Sequence, residues 1–143
     1  MKLWTRIALA LVFLPVIASA QYRDLDSALS SLEQGFGNGQ VQAITAGIGE
    51  GEQVQLAFPG LADQSGFFGR DQAAYLLDGL FNKAKPASFD QKTAKKVSAE
   101  NQYQITASWT IQVGGRTETR DLYITLQNRN DRWSVASVRA SGR

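Results

Sequence analysis

Two runs of alternating apolar and polar residues, joined by a pair of glycines, constrain the fold of this chain more than any other feature. The first run is Tyr103–Val113, and the second lies between Leu122 and Leu126. Alternation with a period of two predicts strands that bury one face. Gly114–Gly115 predicts a two-residue turn, because both central positions of such a turn need a positive φ. The chain therefore contains an antiparallel hairpin whose apolar face needs a cover.

Counting outward from the turn pairs the two strands residue by residue. The predicted pairs on the apolar face are Ile105 with Ile124, Ala107 with Leu122, Trp109 with Arg120, and Ile111 with Glu118. Arg120 and Glu118 are the charged residues that this register places on the apolar face. Both lie toward the hairpin end of the strands, and we expect that end to form an exposed rim.

The segment FFGRDQAAYLLDGLFNKAKPASF, residues 67–89, predicts an amphipathic helix that covers the sheet. Gly69 is an acceptable N-cap, and Asp71 suits the positive end of the helix dipole. Pro86 ends the helix, because a proline disfavours helical geometry at the residue before it. The apolar stripe consists of Ala73, Leu76, Leu77, Leu80, Phe81 and Ala84.

The remaining segments predict two helices and three strands. Asp24 or Asp26 caps the first helix, and either Gly35 or Gly37 closes it. Because Val138 is out of phase with Val135 in the last strand, we expect a β-bulge near Ala136 and Ser137. The predicted segments are the helices Asp24–Gln34 and Val41–Ile48, the strands Glu52–Phe58 and Phe89–Ala99, and a last strand that carries Trp133 after a turn at Asn128–Asp131.

The order of these elements predicts an α+β fold with helices on one face of a curved antiparallel sheet. The pieces GNGQVQAI, GRDQAAYLLDGLF, KPASF and RDLYITL carry a resemblance. The chain resembles the nuclear transport factor 2-like superfamily, and within it a domain-of-unknown-function group of exported bacterial proteins. The resemblance implies a cone in which the bent sheet wraps around the helices. It brings no activity with it.

The first 20 residues, MKLWTRIALALVFLPVIASA, predict a secretory signal peptide. Lys2 and Arg6 flank a short apolar run, and Ala18-Ser19-Ala20 is a small-x-small cleavage signal. The run is too short for a transmembrane helix. We therefore expect a signal peptide at 1–20, a single domain at 21–143 without a membrane span, and a location in the periplasm or the medium.

Charge and composition exclude several kinds of function. Two of the 15 basic residues leave with the signal peptide, and the remaining 13 balance the 13 acidic ones, so a nucleic-acid partner is not expected. The chain has no histidine and no cysteine. Serine–histidine and cysteine–histidine nucleophiles are therefore excluded, as are imidazole or thiolate metal sites. We predict no catalytic residue, no metal and no cofactor.

Arg120, Trp109 and Glu118 form the candidate ligand-binding site. In one hypothesis Arg120 lies over the Trp109 ring as a cation–π contact and pairs with Glu118 at the rim, which is a structural role. In the other, Arg120 caps a narrow apolar pocket and holds an anionic ligand such as a fatty or hydroxy acid. A lone carboxylate beside a guanidinium is poor equipment for acid–base catalysis.

Five lysines lie near the predicted strand Phe89–Ala99. They either attract an acidic partner or protect an open sheet edge from pairing, and the second role is the more common one. These residues are Lys83, Lys85, Lys92, Lys95 and Lys96.

Three classes of function follow from these observations. We favour an exported, non-enzymatic module that binds a protein partner or a small apolar or anionic ligand. A scaffold that forms a homodimer through the outer sheet face is the first alternative, because that face is rich in Gln, Thr and Ser. A small-molecule enzyme that uses the cone pocket is the second.

The cleavage signal generates a direct prediction about mass. The exported protein should have the mass of residues 21–143, or that mass less one ammonia if Gln21 cyclises. Intact mass spectrometry of the exported fraction measures this, and a full-length mass there would contradict the prediction.

Overall fold

The computed structural model describes residues 21–97 and 101–142, so the predicted signal peptide and the residues at 98 and 99 of one predicted strand lie outside the described residues. The described part has the α+β class that the sequence predicts. Its helices are α1 (Leu25–Asn38), α2 (Val41–Thr45) and α3 (Arg70–Lys83). Its strands are β1 (Val54–Ala57), β2 (Gly66–Phe68), β3 (Ala84–Val97), β4 (Gln102–Val113), β5 (Arg116–Arg129) and β6 (Arg132–Ala140).

The six strands form one sheet in the order β2-β1-β6-β5-β4-β3. Neighbours are antiparallel except β1 and β6, which run parallel. The predicted hairpin register is confirmed, since Trp109 pairs with Arg120 and Ile111 with Glu118. The predicted bulge is confirmed as well: Thr125 pairs with Ser137 but Leu126 pairs with Val135, which leaves Ala136 as the extra residue.

The apolar faces of the helices and one face of the sheet form a single core around Trp109. The indole Nε1–H of Trp109 donates to the carbonyl oxygen of Phe36 at 2.8 Å. The ring centroids of Phe36, Phe58 and Phe81 lie 5.7, 6.0 and 6.3 Å from that of Trp109. Phe89 stacks on Phe36 at 6.3 Å. Rings from α1, from α3 and from the residue that follows β1 therefore meet at one indole of β4.

Helix α1 is longer than the sequence predicts. Asp24 is the N-cap, as expected, and its carboxylate accepts a hydrogen bond from the Ser27 backbone N–H, which lowers the pKa of Asp24. The helix continues through Gly35 and Gly37 and ends at Gly39, whose φ is 74°. A Cβ at Gly35 would lie 2.2 Å from the Ile44 side chain, so this glycine allows close packing of α2 instead of ending the helix.

The segment around α3 differs from the prediction at both ends. Gly69 is the N-cap, as expected. The residues before it, Gly66–Phe68, form the short strand β2, which the sequence analysis does not predict. At the other end, β3 begins at Ala84 and runs through Pro86, well before the predicted start at Phe89. Proline is tolerated there because β3 is an edge strand, where a backbone N–H need not join the ladder.

Tyr22 anchors the N-terminal end of the described chain. Its backbone pairs with that of Trp133, and its buried hydroxyl donates toward the carbonyl oxygens of Ala43 and Ile44, 2.9 and 3.2 Å away. Burial raises the pKa of the Tyr22 hydroxyl. A Cβ at Gly47 would lie 2.4 Å from the Tyr22 ring, so glycine is required beside it.

The two sheet faces should differ sharply in their tolerance of substitution. Leu77→Ala removes a fully buried side chain and should lower the free energy of unfolding by about 2–5 kcal/mol. Thr110→Ala on the outer face should change it by no more than about 0.5 kcal/mol. Denaturant unfolding of both variants measures the contrast, and equal losses would show that the faces are assigned the wrong way round.

Candidate functional site

Arg120, Trp109 and Glu118 do come together, because cross-strand pairing of β4 and β5 puts all three on the inner face. Their expected position on an exposed rim is wrong. Trp109, Arg120 and Glu118 are 0, 7 and 8% exposed. The loop after β1 and the C-terminal end of the chain cover this part of the sheet through the backbones of Pro59 and Ser141. The register of β4 and β5 alone does not predict this burial, because both covering segments lie outside the hairpin.

The guanidinium of Arg120 donates hydrogen bonds mainly to backbone carbonyl oxygens. Nη1 donates to the carbonyl oxygen of Pro59 at 2.5 Å and to that of Ser141 at 3.2 Å. Nη2 donates to Glu118 Oε2 at 3.4 Å. Within the described residues, Nε is buried and has no hydrogen-bond partner. Arg120 therefore connects the loop after β1 and Ser141, which follows β6, to β5 through hydrogen bonds.

Glu118 lies between two arginines of its own strand. Its Oε2 is 3.4 Å from Nη2 of buried Arg120, and its Oε1 is 3.6 Å from Nη2 of exposed Arg116. Removing one partner of a buried ion pair is costly because the charge that stays in the core loses part of its compensation. This arrangement is typical of a structural pair.

The expected cation–π contact between Arg120 and Trp109 is not seen in residues 21–97 and 101–142. The cation–π contact that these residues do contain places the Arg139 guanidinium 5.2 Å from the centre of the Tyr123 ring, on the outer face. The Arg120 guanidinium instead donates hydrogen bonds to the carbonyl oxygens of Pro59 and Ser141. The ligand-binding role of Arg120, Trp109 and Glu118 stays a prediction.

The surface has grooves that the sequence analysis did not anticipate. One groove of about 350 Å³ lies on the outer sheet face, between side chains such as Gln104, Tyr123 and Arg139. Two more, of about 450 and 430 Å³, lie on either side of Tyr75 on α3. The sequence contains an indication of the grooves beside Tyr75, because Tyr75 is a large aromatic residue outside the apolar stripe of α3.

The lysines near β3 lie where an edge-protecting role needs them. β3 is the terminal strand on one side of the sheet, and the side chains of Lys85, Lys92, Lys95 and Lys96 are exposed. Lys92 Nζ is 2.6 Å from Asp121 Oδ1. Charged side chains along a free edge discourage another strand from pairing with it.

Sequence comparison identifies the family. The sequence profile described as "Domain of unknown function (DUF4783)" matches residues 29–140. The chain belongs to the DUF4783 family. Among curated protein sequences, none matches the chain. No helix in the described part of this DUF4783 protein is both long enough and apolar enough to cross a membrane.

Solved structures show the same fold. A DUF4783 protein from Bacteroides ovatus ATCC 8483 is 15% identical with a TM-score of 0.64, over 78% of this chain and 91% of that one. A nuclear transport factor 2-like protein of unknown function from Shewanella oneidensis MR-1 is 19% identical with a TM-score of 0.60, over 82% and 98%. A hypothetical protein from Catenulispora acidiphila DSM 44928, with a ketosteroid isomerase-like fold and in complex with trimethylamine, is 9% identical with a TM-score of 0.61, over 80% and 84%.

These likenesses establish the fold that the sequence resemblance implies. The DUF4783 chain is an α+β protein of the nuclear transport factor 2-like class, with its helices against one face of a mostly antiparallel sheet. At these identities they establish nothing about activity, because one fold hosts many unrelated functions.

The buried position of Arg120 generates a stability prediction. Arg120→Leu should lower the free energy of unfolding by about 3–5 kcal/mol, because Glu118 and two backbone carbonyls lose a buried donor. Arg116→Leu is the matched control on the same strand, and it should cost less than about 1 kcal/mol because Arg116 is exposed. Denaturant titration measures both, and a small loss at Arg120 would mean that its contacts are not structural.

Proposed function

We propose that this protein is an exported, non-enzymatic module that binds a protein partner through its surface. The observation that carries the proposal is that the inside of the cone is filled around Trp109. Three phenylalanine rings contact that indole, and a fourth, Phe89, stacks on Phe36. The indole N–H donates a hydrogen bond to the carbonyl oxygen of Phe36. The protein surface is then the part of the molecule that remains available to bind a partner.

A small-molecule site in a protein interior needs an open volume of about 300–1,000 Å³ with a few polar groups directed into it. Here the inner polar groups are directed at the protein itself, since Arg120 donates to Pro59, Ser141 and Glu118. An anionic ligand at Arg120 would have to displace those bonds. This argues against the hypothesis of a small anionic ligand and against an enzyme that uses the cone pocket.

The export part of the proposal is supported by the signal-type segment at residues 1–20 and its small-x-small end. The lack of cysteine is compatible with export because the dense aromatic core can hold the domain together without disulfides. Cell fractionation with mass analysis of the exported form tests this part separately.

A homodimer through the outer sheet face is a second candidate. The observation that favours it is the groove of about 350 Å³ across β4, β5 and β6, with exposed Tyr123 and Arg139 beside it. A second copy could place polar and aromatic side chains into such a groove. Sedimentation at several protein concentrations distinguishes a dimer from a monomer, and Tyr123→Ser should weaken a dimer that uses this face.

The filled cone generates a ligand prediction. A panel of fatty and hydroxy acids should leave the melting temperature unchanged, because Arg120 is buried and already donates hydrogen bonds to Pro59, Ser141 and Glu118. Native mass spectrometry of protein purified from its own host should show a protein partner or a second copy and no small ligand. A retained small molecule, or a thermal shift that survives Arg116→Leu but not Arg120→Lys, would contradict the proposal.

A further inference from the structure

The two free edges of the sheet are built differently. At one end β3 presents a long edge that carries Pro86 and four exposed lysines. At the other end β2 is the terminal strand, and its sequence Gly66–Phe68 contains no charged residue. Lysine and proline protect an edge from pairing with another strand, and β2 has neither. Within the described residues, the β3 edge is therefore protected by lysines and a proline, and the β2 edge is left open except for its short length.

The open edge lies beside an apolar strip. Phe67 on β2 and Tyr75 on α3 are 66 and 85% exposed, although both are large aromatic residues. A groove of about 450 Å³ runs between them, with half-buried Phe68 and Leu76 in its walls. A second groove, of about 430 Å³, continues past Tyr75 and Leu76 toward Leu61. We call this surface the β2 strip; its side chains are Leu61, Ala62, Gln64, Phe67, Phe68, Tyr75, Leu76 and Leu80.

The charges around the β2 strip are mostly acidic. Asp71 lines one groove and Asp63 lines the other. Asp78 is exposed on α3 one helical turn after Tyr75, while Lys83 is the single cation lining these two grooves. An apolar strip with carboxylates on its border suits a partner that has apolar side chains next to cations, and an exposed tyrosine ring adds a cation–π surface.

We propose that the β2 strip is the docking site for an extended, lysine- or arginine-bearing apolar segment of a partner protein, which adds to β2 as a further strand. Alternate residues of β2 direct their backbone N–H and C=O groups away from β1, and an added strand pairs with them. Its apolar side chains on one face lie against Tyr75 and Leu76, and its cations lie near Asp63 and Asp71.

The charge pattern also selects against a second copy of this chain as the occupant. Pairing two β2 edges would bring the carboxylates of Asp63 and Asp71 in one copy close to those of the other. Like charges placed together at an interface cost free energy, so they disfavour that arrangement. A basic apolar segment has the opposite sign and meets no such penalty. This inference rests on the proposed function, since it names the surface and the chemistry of the partner.

A peptide titration tests the docking site directly. The probe is a peptide of about six residues that alternates valine and lysine, a length typical of a strand. Titrated into the isotope-labelled protein, it should shift the amide resonances of Gly66–Phe68 and of the α3 residues near Tyr75. The same peptide with glutamate in place of lysine should not bind. Shifts confined to β3 or to the outer sheet face, equal binding of both peptides, or no binding of either would overturn the proposal.

Variants separate the backbone, apolar and charge contributions. Phe67→Thr and Tyr75→Ser alter exposed side chains, so the melting temperature should stay unchanged while affinity for the valine–lysine peptide falls on the order of tenfold. Asp63→Asn with Asp71→Asn should weaken binding and reduce its dependence on salt. The matched control is Tyr123→Ser, which removes an exposed aromatic side chain from the outer face of β5, away from β2, and should leave peptide affinity unchanged. Affinity that is unaffected in the β2-strip variants would overturn the assignment.

The partner retained by the native protein distinguishes this inference from the proposed function. If the Phe67→Thr, Tyr75→Ser double variant loses a partner that the native protein retains, the β2 strip is the binding surface. If the double variant keeps that partner, the module binds through another face; the inference then fails and the proposed function stands. A small ligand in place of a partner would refute the proposed function itself.

Discussion

The hydrogen bond from the Trp109 indole to the carbonyl oxygen of Phe36 is the interaction on which the rest of the structure depends. It is 2.8 Å long and lies in the fully buried core. A buried indole N–H needs an acceptor, and a carbonyl oxygen in the last turn of α1 supplies it. This bond sets the position of α1 over β4, and the phenylalanine rings of α3, of β3 and of the residue that follows β1 then pack around that contact.

The filled cone has a direct consequence for function. In a fold of this shape, the concave face of the sheet is where a ligand would have its largest buried contact. Here aromatic rings occupy it, and Arg120 at its end donates to the backbone oxygens of Pro59 and Ser141 and pairs with Glu118. This is the reason for proposing that a partner binds at the surface. The surface is uneven, with a lysine-protected edge at β3 and an uncharged edge with exposed aromatic side chains at β2.

Much of the candidate site was predictable, because strand pairing follows simple rules. A two-residue glycine turn sets the register, so the pairing of Trp109 with Arg120 and the face they share followed from counting. The solvent exposure of that site did not follow. It depends on Pro59 and Ser141, which are distant in sequence. Ser141 reaches Arg120 because β6 pairs with β5, and Pro59 lies near it because β1 pairs in parallel with β6.

By itself the sequence determined the local periods, the α+β order, the hairpin register and the bulge at Ala136, since each depends on residues close along the chain. The tertiary structure alone decided that Gly35 lies inside a helix, that Pro86 lies inside a strand, and that Gly66–Phe68 pairs as an edge strand. Each of these features depends on a distant neighbour: Ile44 packs against Gly35, the free side of β3 tolerates a proline, and β1 supplies the hydrogen bonds for β2. Local propensity does not encode a contact between segments that folding brings together. For that reason the buried hydrogen bonds of Arg120 and the edge position of β2 are seen only in the tertiary structure.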